Sequence, residues 1–234
     1  MIHIEIWSDV VCPFCYIGKR RLEQALEQFE GRDQVQVEWK SFLLNPDVQT
    51  DPAQSINAHL AEQKGWTPEY TREVQKYVTD MAAGVGLSYD FDKVVVANSI
   101  QAHRLLQMAK RQQKGDEMKE ALLRAYFVEG RNIDDPEALT EIALHAGMDA
   151  DEVRSLLAEE MQFRAQVFAD VWEAQSLGVR GVPFFVFDRT YGISGAQPTE
   201  AFLSLLEKIQ TEKGEQFSQQ PAADDNACDV NGNC

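Results

Sequence analysis

The sequence is short of cysteine, short of positive charge and without any long hydrophobic run. Four cysteines in 234 residues are too few for a disulfide-scaffolded fold of this length. Lys and Arg number 22 against 38 Asp and Glu, a formal net charge of -16. Such a surface repels phosphate backbones and anionic bilayers, so neither nucleic acid nor membrane is expected as a partner. No apolar stretch nears the roughly 18 to 20 residues that span a bilayer; the longest, Val182 to Phe187, suits a buried strand. No basic leader region precedes the opening strand pattern, so a secretory signal is not expected, and the chain is expected to work in a cytoplasm. Glycine-rich phosphate loops, nucleotide fingerprints, zinc-hydrolase motifs and Ser-His-Asp contexts are missing as well, and Gly84-Val85-Gly86 reads as a helix terminus. What is there is a globular composition, 44% hydrophobic and 26% charged, with enough chain to bury a real core.

Residues 2–7 alternate around β-branched side chains and read as a first strand. Ser8 to Cys15 form a loop. From about Cys15, Leu22, Ala25, Leu26 and Phe29 make one apolar helical face that Gly31 ends. Val35, Val37 and Trp39 alternate with polar neighbours, giving a second strand running toward Phe42. Residues 55–173 read as about five or six helices. Thr67-Pro68 and Asp135-Pro136 act as start signals. One apolar stripe runs through Val95, Ala102, Leu105, Leu106 and Ala109, and a long second one runs from Val153 to Trp172. Strand signals return at Val182 to Phe187 and Tyr191 to Gly195, before a final helix opened by Gln197 to Glu200. From Gly214 the periodicity stops. The order predicts an α/β chain with a discontinuous sheet domain, residues 1–45 plus 175–213. Residues 46–174 are its inserted helical subdomain, and 214–234 a flexible acidic tail.

Cys12-Pro13-Phe14-Cys15 sits between the first strand and its helix. A thiol at a helix N-terminus meets free backbone N–H groups and the positive end of the dipole, both of which favour thiolate. The expected shift is about one pH unit or more below the free value of about 8.5. The two-residue spacing lets one sulfur reach the other. Cys12, at the exposed end, is then the nucleophile, and Cys15, one turn inward, resolves the mixed disulfide. The spacing also suits half of a zinc site, with Cys228 and Cys234 or the scattered His3, His59, His103 and His145 as further ligands. Pro13 and Phe14 favour the redox reading, because they remove a donor and place an apolar surface beside the sulfur. No metal is expected.

Three stretches occur in order with the helices between them. They are Trp7-Ser8-Asp9-Val10-Val11-Cys12-Pro13-Phe14-Cys15-Tyr16-Ile17-Gly18, then Phe42-Leu43-Leu44-Asn45-Pro46, then Gly181-Val182-Pro183-Phe184-Phe185-Val186-Phe187 with Tyr191 to Gln197. Over residues 2 to about 212 the sequence resembles the DsbA-like branch of the thioredoxin superfamily, and within it the cytoplasmic FrnE-like members. The resemblance implies a thioredoxin-like fold with a large all-helical insertion between its β-α-β and β-β-α halves. It implies that Pro183 is cis and lies, with Val182, beside the cysteine pair, where neighbouring backbone docks an extended substrate segment. The implied activity is thiol–disulfide exchange or isomerisation on protein or peptide disulfides. No cofactor is bound; an external thiol reductant such as thioredoxin, glutathione or another low-molecular-weight thiol resets the pair.

The alternative comes from kappa-type glutathione transferases and hydroxychromene carboxylate isomerases, which look similar in plan. It is a glutathione-dependent transferase or isomerase acting on a small molecule. Those proteins characteristically carry serine at the nucleophile, whereas this chain keeps both Cys12 and Cys15. A client-binding module in the groove between subdomains is a third reading, recognisable by activity that survives loss of both thiols.

Trp7, Pro13, Phe14 and Val182 form the expected substrate-binding surface, with Trp7 equally readable as core. Asp9 reads as a solvated loop carboxylate or a proton acceptor for Cys15. His103 reads as structural, and Asn45 as a turn former. Arg180 and Arg189 flank the Pro183 strand, where a positive charge near Cys12 favours thiolate. Cys228 and Cys234 lie outside the resemblance. A redox relay with Cys12–Cys15, incidental or weakly metal-binding thiols, and a regulatory disulfide all fit them. A homodimer is allowed, with no heptad or large apolar seam to argue it.

Overall fold

Two segments far apart in the chain build a four-stranded sheet of order β2-β1-β5-β6 in the computed structural model, which describes residues 1–218. β1 (Ile2–Ser8) lies parallel to β2 (Val35–Ser41), with Ile2 opposite Val35 and Ser8 opposite Ser41, and α1 (Pro13–Gln28) connects them. β5 (Phe184–Phe187) is antiparallel to β1, β6 (Tyr191–Ser194) is antiparallel to β5, and α9 (Thr199–Ser218) follows. The period of two along β1 decides its packing. Ile2, Ile4 and Ile6 share a buried cluster with Phe185 and Phe187 of β5, Leu22 and Ala25 of α1, and Phe202 and Leu206 of α9. Trp7 joins a separate cluster with Ala174, Val179 and Val186. β1 is thus central in the sheet and covered on both sides.

The insertion between β2 and β5 comprises β3 (Asp51–Ser55), α2 (Ile56–Lys64), α3 (Pro68–Ala83), β4 (Val95–Val96), α4 (Ile100–Arg111), α5 (Gly115–Phe127), α6 (Pro136–His145), α7 (Ala150–Ala158) and α8 (Arg164–Ser176). A β-α-β half and a β-β-α half flanking a large, mainly helical insertion is the implied architecture. The insertion is not all helix, however. β3 and β4 pair antiparallel, and Val95 belongs to that pair, not to the stripe on α4. Asp51-Pro52-Ala53-Gln54-Ser55 carries no apolar alternation, and β4 is too short to display a period. The long stripe from Val153 to Trp172 is likewise two helices, broken at Phe163, whose φ of 61° no continuing helix accepts.

The start signals act as expected: the Thr67 side chain accepts from Tyr70 N and that of Asp135 from Ala138 N. Gly84 caps α3. Gly31 plays a different part from the one expected. α1 already ends at Gln28, and Gly31 has φ -86°; a Cβ there would lie 2.7 Å from the Phe29 ring. α9 continues through Gly214 to Ser218, past the point where its apolar periodicity stops. Cys228 and Cys234, and the relay expected of them, lie outside the described residues.

Polar ties lock the insertion to the sheet. Asp170 of α8, nearly buried, accepts through Oδ2 from Ser41 N at 2.8 Å and from Gln107 Nε2 of α4 at 2.6 Å, and its backbone oxygen accepts from Trp7 Nε1 at 2.9 Å. Arg104, wholly buried on α4, donates to the backbone oxygens of Gln162, Leu156 and Glu159, binding the end of α7.

Candidate active site

Pro13 opens α1, where its missing N–H costs nothing, and Cys12 is the residue before the helix, with φ -94° and ψ 112°. The turn is closed by Cys12 N donating to Asp9 O at 3.3 Å and Cys15 N donating to Cys12 O at 3.0 Å. Both thiols are free. Cys12 is 4% exposed and Cys15 is fully enclosed. The Val182–Pro183 peptide bond is cis, and the Cys12 thiol donates to Val182 O at 3.4 Å. Gly18 permits this approach, since a Cβ there would sit 3.0 Å from Pro183 Cγ and 3.1 Å from Phe185 Cζ. Tyr89 donates to Pro13 O at 2.7 Å, fixing the first turn of α1 from the insertion side.

The two sulfurs titrate as one unit. Hydrogen bonding with Cys15 pushes the Cys12 thiol well up, and burial pushes it further. Cys15 moves down: burial opposes ionisation, but the Cys12 hydrogen bond, the positive charge of Lys119 and the Ser8 hydroxyl outweigh it. Cys12 is buried where a sulfur at the exposed end was expected. Its sulfur makes no capping hydrogen bond to the helix N-terminus and is turned instead toward a carbonyl, in a buried position.

Beneath the pair lies a set of enclosed polar groups. Asp9 is buried, not solvated, and its carboxylate is committed elsewhere than to Cys15. Oδ2 accepts from Leu44 N at 2.8 Å, and Oδ1 lies 3.2 Å from His103 Nε2. Burial alone would push the Asp9 carboxyl up; the His103 hydrogen bond and charge, followed by the Leu44 N–H, hold it below the ordinary carboxylate value. His103, in keeping with its structural reading, is fully buried on α4. A depressed carboxyl contributes stability that is present above its unfolded value, about 3.9, and is lost as pH falls through the lower folded value. Urea unfolding across an acid series should therefore lose stability below about pH 4, and Asp9→Asn should flatten that loss. An unchanged acid limb in the variant would remove Asp9 from the explanation.

Lys119 of α5 is the group sequence reasoning missed. It is fully buried, its Nζ has no hydrogen-bond partner among the described residues, and it lies 5.5 Å from the centre of the Trp39 ring. A signal existed: Lys119, Leu122, Leu123 and Tyr126 share one helical face, and the other three are buried.

Of the expected contact surface, Val182 and Pro183 stand at Cys12, while Pro13 and Phe14 are half-buried beside it. Trp7 is different. It is 0% exposed and packed against Ala174, Val179 and Val186, so it supports the sheet and offers no surface to a substrate. Arg189 is held by Glu173, at 2.7 Å, and by Glu5, and Arg180 is exposed. Asn45 forms its turn through Oδ1, which accepts from Asp47 N at 3.2 Å. A cavity of about 470 Å³ opens next to the cysteine loop, lined by Val11, Leu44, Ile56, Leu60, Val96 and Tyr126 among others. Among the described residues no three His, Cys, Asp or Glu side chains converge to hold a metal ion, and no helix is long and apolar enough to cross a membrane.

The family model for a DSBA-like thioredoxin domain matches residues 3–207. The chain belongs to the DSBA-like thioredoxin family. Bacillus subtilis YwbO, itself uncharacterized, is 30% identical over 215 residues, 91% of this chain and 99% of YwbO. The crystal structure of a probable DsbA oxidoreductase from Streptomyces coelicolor is 38% identical, with a TM-score of 0.86 over 99% of this chain and 98% of that one. The cytosolic disulfide reductase DsbM of Pseudomonas aeruginosa shares the fold, with 18% identity and a TM-score of 0.60 over 93% of this chain and 100% of that one. The DSBA-like fold carries a dithiol–disulfide active site at Cys12–Cys15, and the chain is a thiol-based oxidoreductase.

Proposed function

We propose that this DSBA-like protein exchanges thiols with disulfides in proteins or peptides, in the reducing or isomerising direction, with Cys12 as nucleophile and Cys15 as resolving thiol. The observation that carries the reading is the Cys12 thiol set against the carbonyl of Val182, at the cis bond to Pro183. A peptide laid along that backbone brings its own disulfide to the outer of the two sulfurs. Phe14, Pro13 and the cavity beside Val11 supply apolar contact for its side chains.

Before attack, the Cys12 thiol gives up its proton to solvent. The Cys12 thiolate then bonds to one substrate sulfur and expels the other as a thiolate. Cys15, deprotonated, attacks the Cys12 sulfur of the mixed disulfide, forming Cys12–Cys15 and releasing the second substrate thiolate. Two electrons have passed to the substrate, and the released thiolates take up protons. An external thiol such as thioredoxin or glutathione returns two electrons to the pair. We place the chain in the cytoplasmic FrnE-like branch on the order of its motifs around the insertion; the cytosolic designation of the Pseudomonas reductase, which shares the fold, is in keeping with that.

The test is steady-state reduction of insulin disulfides beside conjugation of glutathione to a small electrophile, each with purified protein and a thiol-regenerating system. Insulin reduction above the uncatalysed rate, without conjugation, is the expected result. Conjugation without insulin reduction would replace this reading with the glutathione-dependent one.

A further inference from the structure

The protein is strongly acidic, yet the surface around its cysteine pair is not. Residues 10–18, 41–46 and 179–187 meet there: Leu44 N donates to Asp9, the Cys12 thiol donates to Val182 O, and Phe42 packs in one cluster with Val182 and Phe184. These segments hold a single charged side chain, Arg180, against 38 Asp and Glu in the chain. Arg180 is exposed two residues before Val182, on an open ledge, since a Cβ at Gly181 would meet nothing within 4 Å. Val11, next to Cys12, lines the cavity whose apolar wall is Leu44, Ile56, Leu60 and Val96, and whose lining includes Lys64 and His59 but no Asp or Glu. His59 Nδ1 lies 3.1 Å from Gln54 Oε1, whereas Lys64, in the last turn of α2, is exposed. Neither Arg180 nor Lys64 has an ion pair or hydrogen bond through its side chain among the described residues. Every other exposed Lys or Arg there but one lies against a carboxylate or an aromatic ring. The exception, Arg32, precedes β2 at the end of the sheet away from Cys12.

We infer that the site selects acidic, amphipathic polypeptides: segments whose cysteine has carboxylates beside it, for Arg180 and Lys64, and a large apolar side chain that enters the cavity. The inference rests on the proposed exchange reaction and names the class of disulfide it serves. A net charge of -16 would by itself turn acidic segments away, but at physiological ionic strength exposed charges more than about 8 Å apart are largely screened. A docked segment therefore senses the charge in contact with it, and there the carboxylates are missing and two cations have no partner of their own. The cavity wall sets the second requirement, because a large apolar side chain gains by leaving water and a polar one without an acceptor or donor loses. A cationic segment meets Arg180 and Lys64 as like charges and finds no acid to pair with.

The test is fluorescence anisotropy of labelled peptides at about 0.15 M salt. All share one sequence with serine in place of its cysteine, so that no covalent step contributes. The first peptide has Glu on each side of that serine and a Leu beyond, the second has Lys for Glu, and the third has Ala for Leu. An exposed ion pair is typically worth up to about fivefold in affinity. The Glu peptide should therefore bind the unaltered protein on the order of tenfold more tightly than the Lys peptide. Arg180→Gln and Lys64→Gln should each cut that ratio by about threefold, and together bring it close to one. Because a ratio is read, a general loss of binding in a variant does not imitate this result. The Ala peptide should bind at least about fivefold more weakly than its Leu parent. Equal binding of the Glu and Lys peptides, or none of either, would overturn the inference, as would a Glu preference that survives in the double variant. An Ala peptide that binds as well as its parent would overturn the apolar half of it. Absence of insulin reduction beside an intact Glu preference would count against the exchange reaction alone.

Discussion

Cys15→Ser should hold the protein as a covalent adduct with its substrate, whereas Cys12→Ser should form none. The two sulfurs lie in one turn but differ in access: Cys12 is 4% exposed, with the Val182 carbonyl alongside, and Cys15 is enclosed. The outer sulfur therefore meets a substrate disulfide first, and the inner one reaches only the bond that Cys12 has made. A serine hydroxyl at 15 cannot displace that bond, so turnover should fall on the order of a thousandfold or more, as when a nucleophile is deleted. Cys12→Ser should lose turnover to the same extent but remain a free monothiol. Non-reducing electrophoresis and intact mass, after mixing each variant with a disulfide-containing protein, separate these outcomes. Equal adduct formation through both cysteines would break the assignment of roles, and adducts on Cys15 alone would reverse it.

The parts of this arrangement that were legible in the sequence are the local ones. The cysteine pair, the proline at the start of α1 and the Val182-Pro183 run are contiguous motifs, and the sheet strands announce themselves by alternation. Trp7 was ambiguous because a central strand is covered on both sides, so alternation cannot say which buried residue faces a site. β3 stayed hidden because its five residues lack any apolar period, and what orders it is pairing with β4 across α2 and α3. The burial of Cys12 is hidden for a similar reason. A helix N-terminus can be read from a sequence, but the Val182 carbonyl turned to Cys12 arrives from the segment before β5 only once the chain has folded.

Asp170→Ala should be the most destabilising single change among the polar ties, costing about 3 kcal/mol. Asp170 sits in the otherwise apolar surroundings of Val167 and Ala174 on α8 and serves two other elements at once: the end of β2 through Ser41 N and α4 through the Gln107 amide. Removing the carboxylate strands Ser41 N, at roughly 1–3 kcal/mol for a buried group left unsatisfied, and takes a charged acceptor, worth about 1.5–3 kcal/mol, from Gln107 Nε2, which keeps its 3.0 Å bond to Ser41 Oγ. Lys40 loses little, because its 3.8 Å approach to Asp170 is one of several and Glu173 lies at 3.3 Å. For a chain of this length the loss corresponds to a melting temperature lower by about 6–12 °C. Asp170→Asn keeps one acceptor oxygen for Ser41 N, and the Gln107 amide can turn to suit the new NH₂, so it should cost markedly less. α8 leads through Val179, packed on Trp7, into Val182 and the cis bond, so loosening it should also disturb the carbonyl that faces Cys12. Thermal melts beside insulin reduction measured well below the lowered melting point test both parts. An alanine variant as stable as the parent would mean that water replaces the carboxylate, and one that melts early with full activity would mean that α8 does not hold Val182 in place.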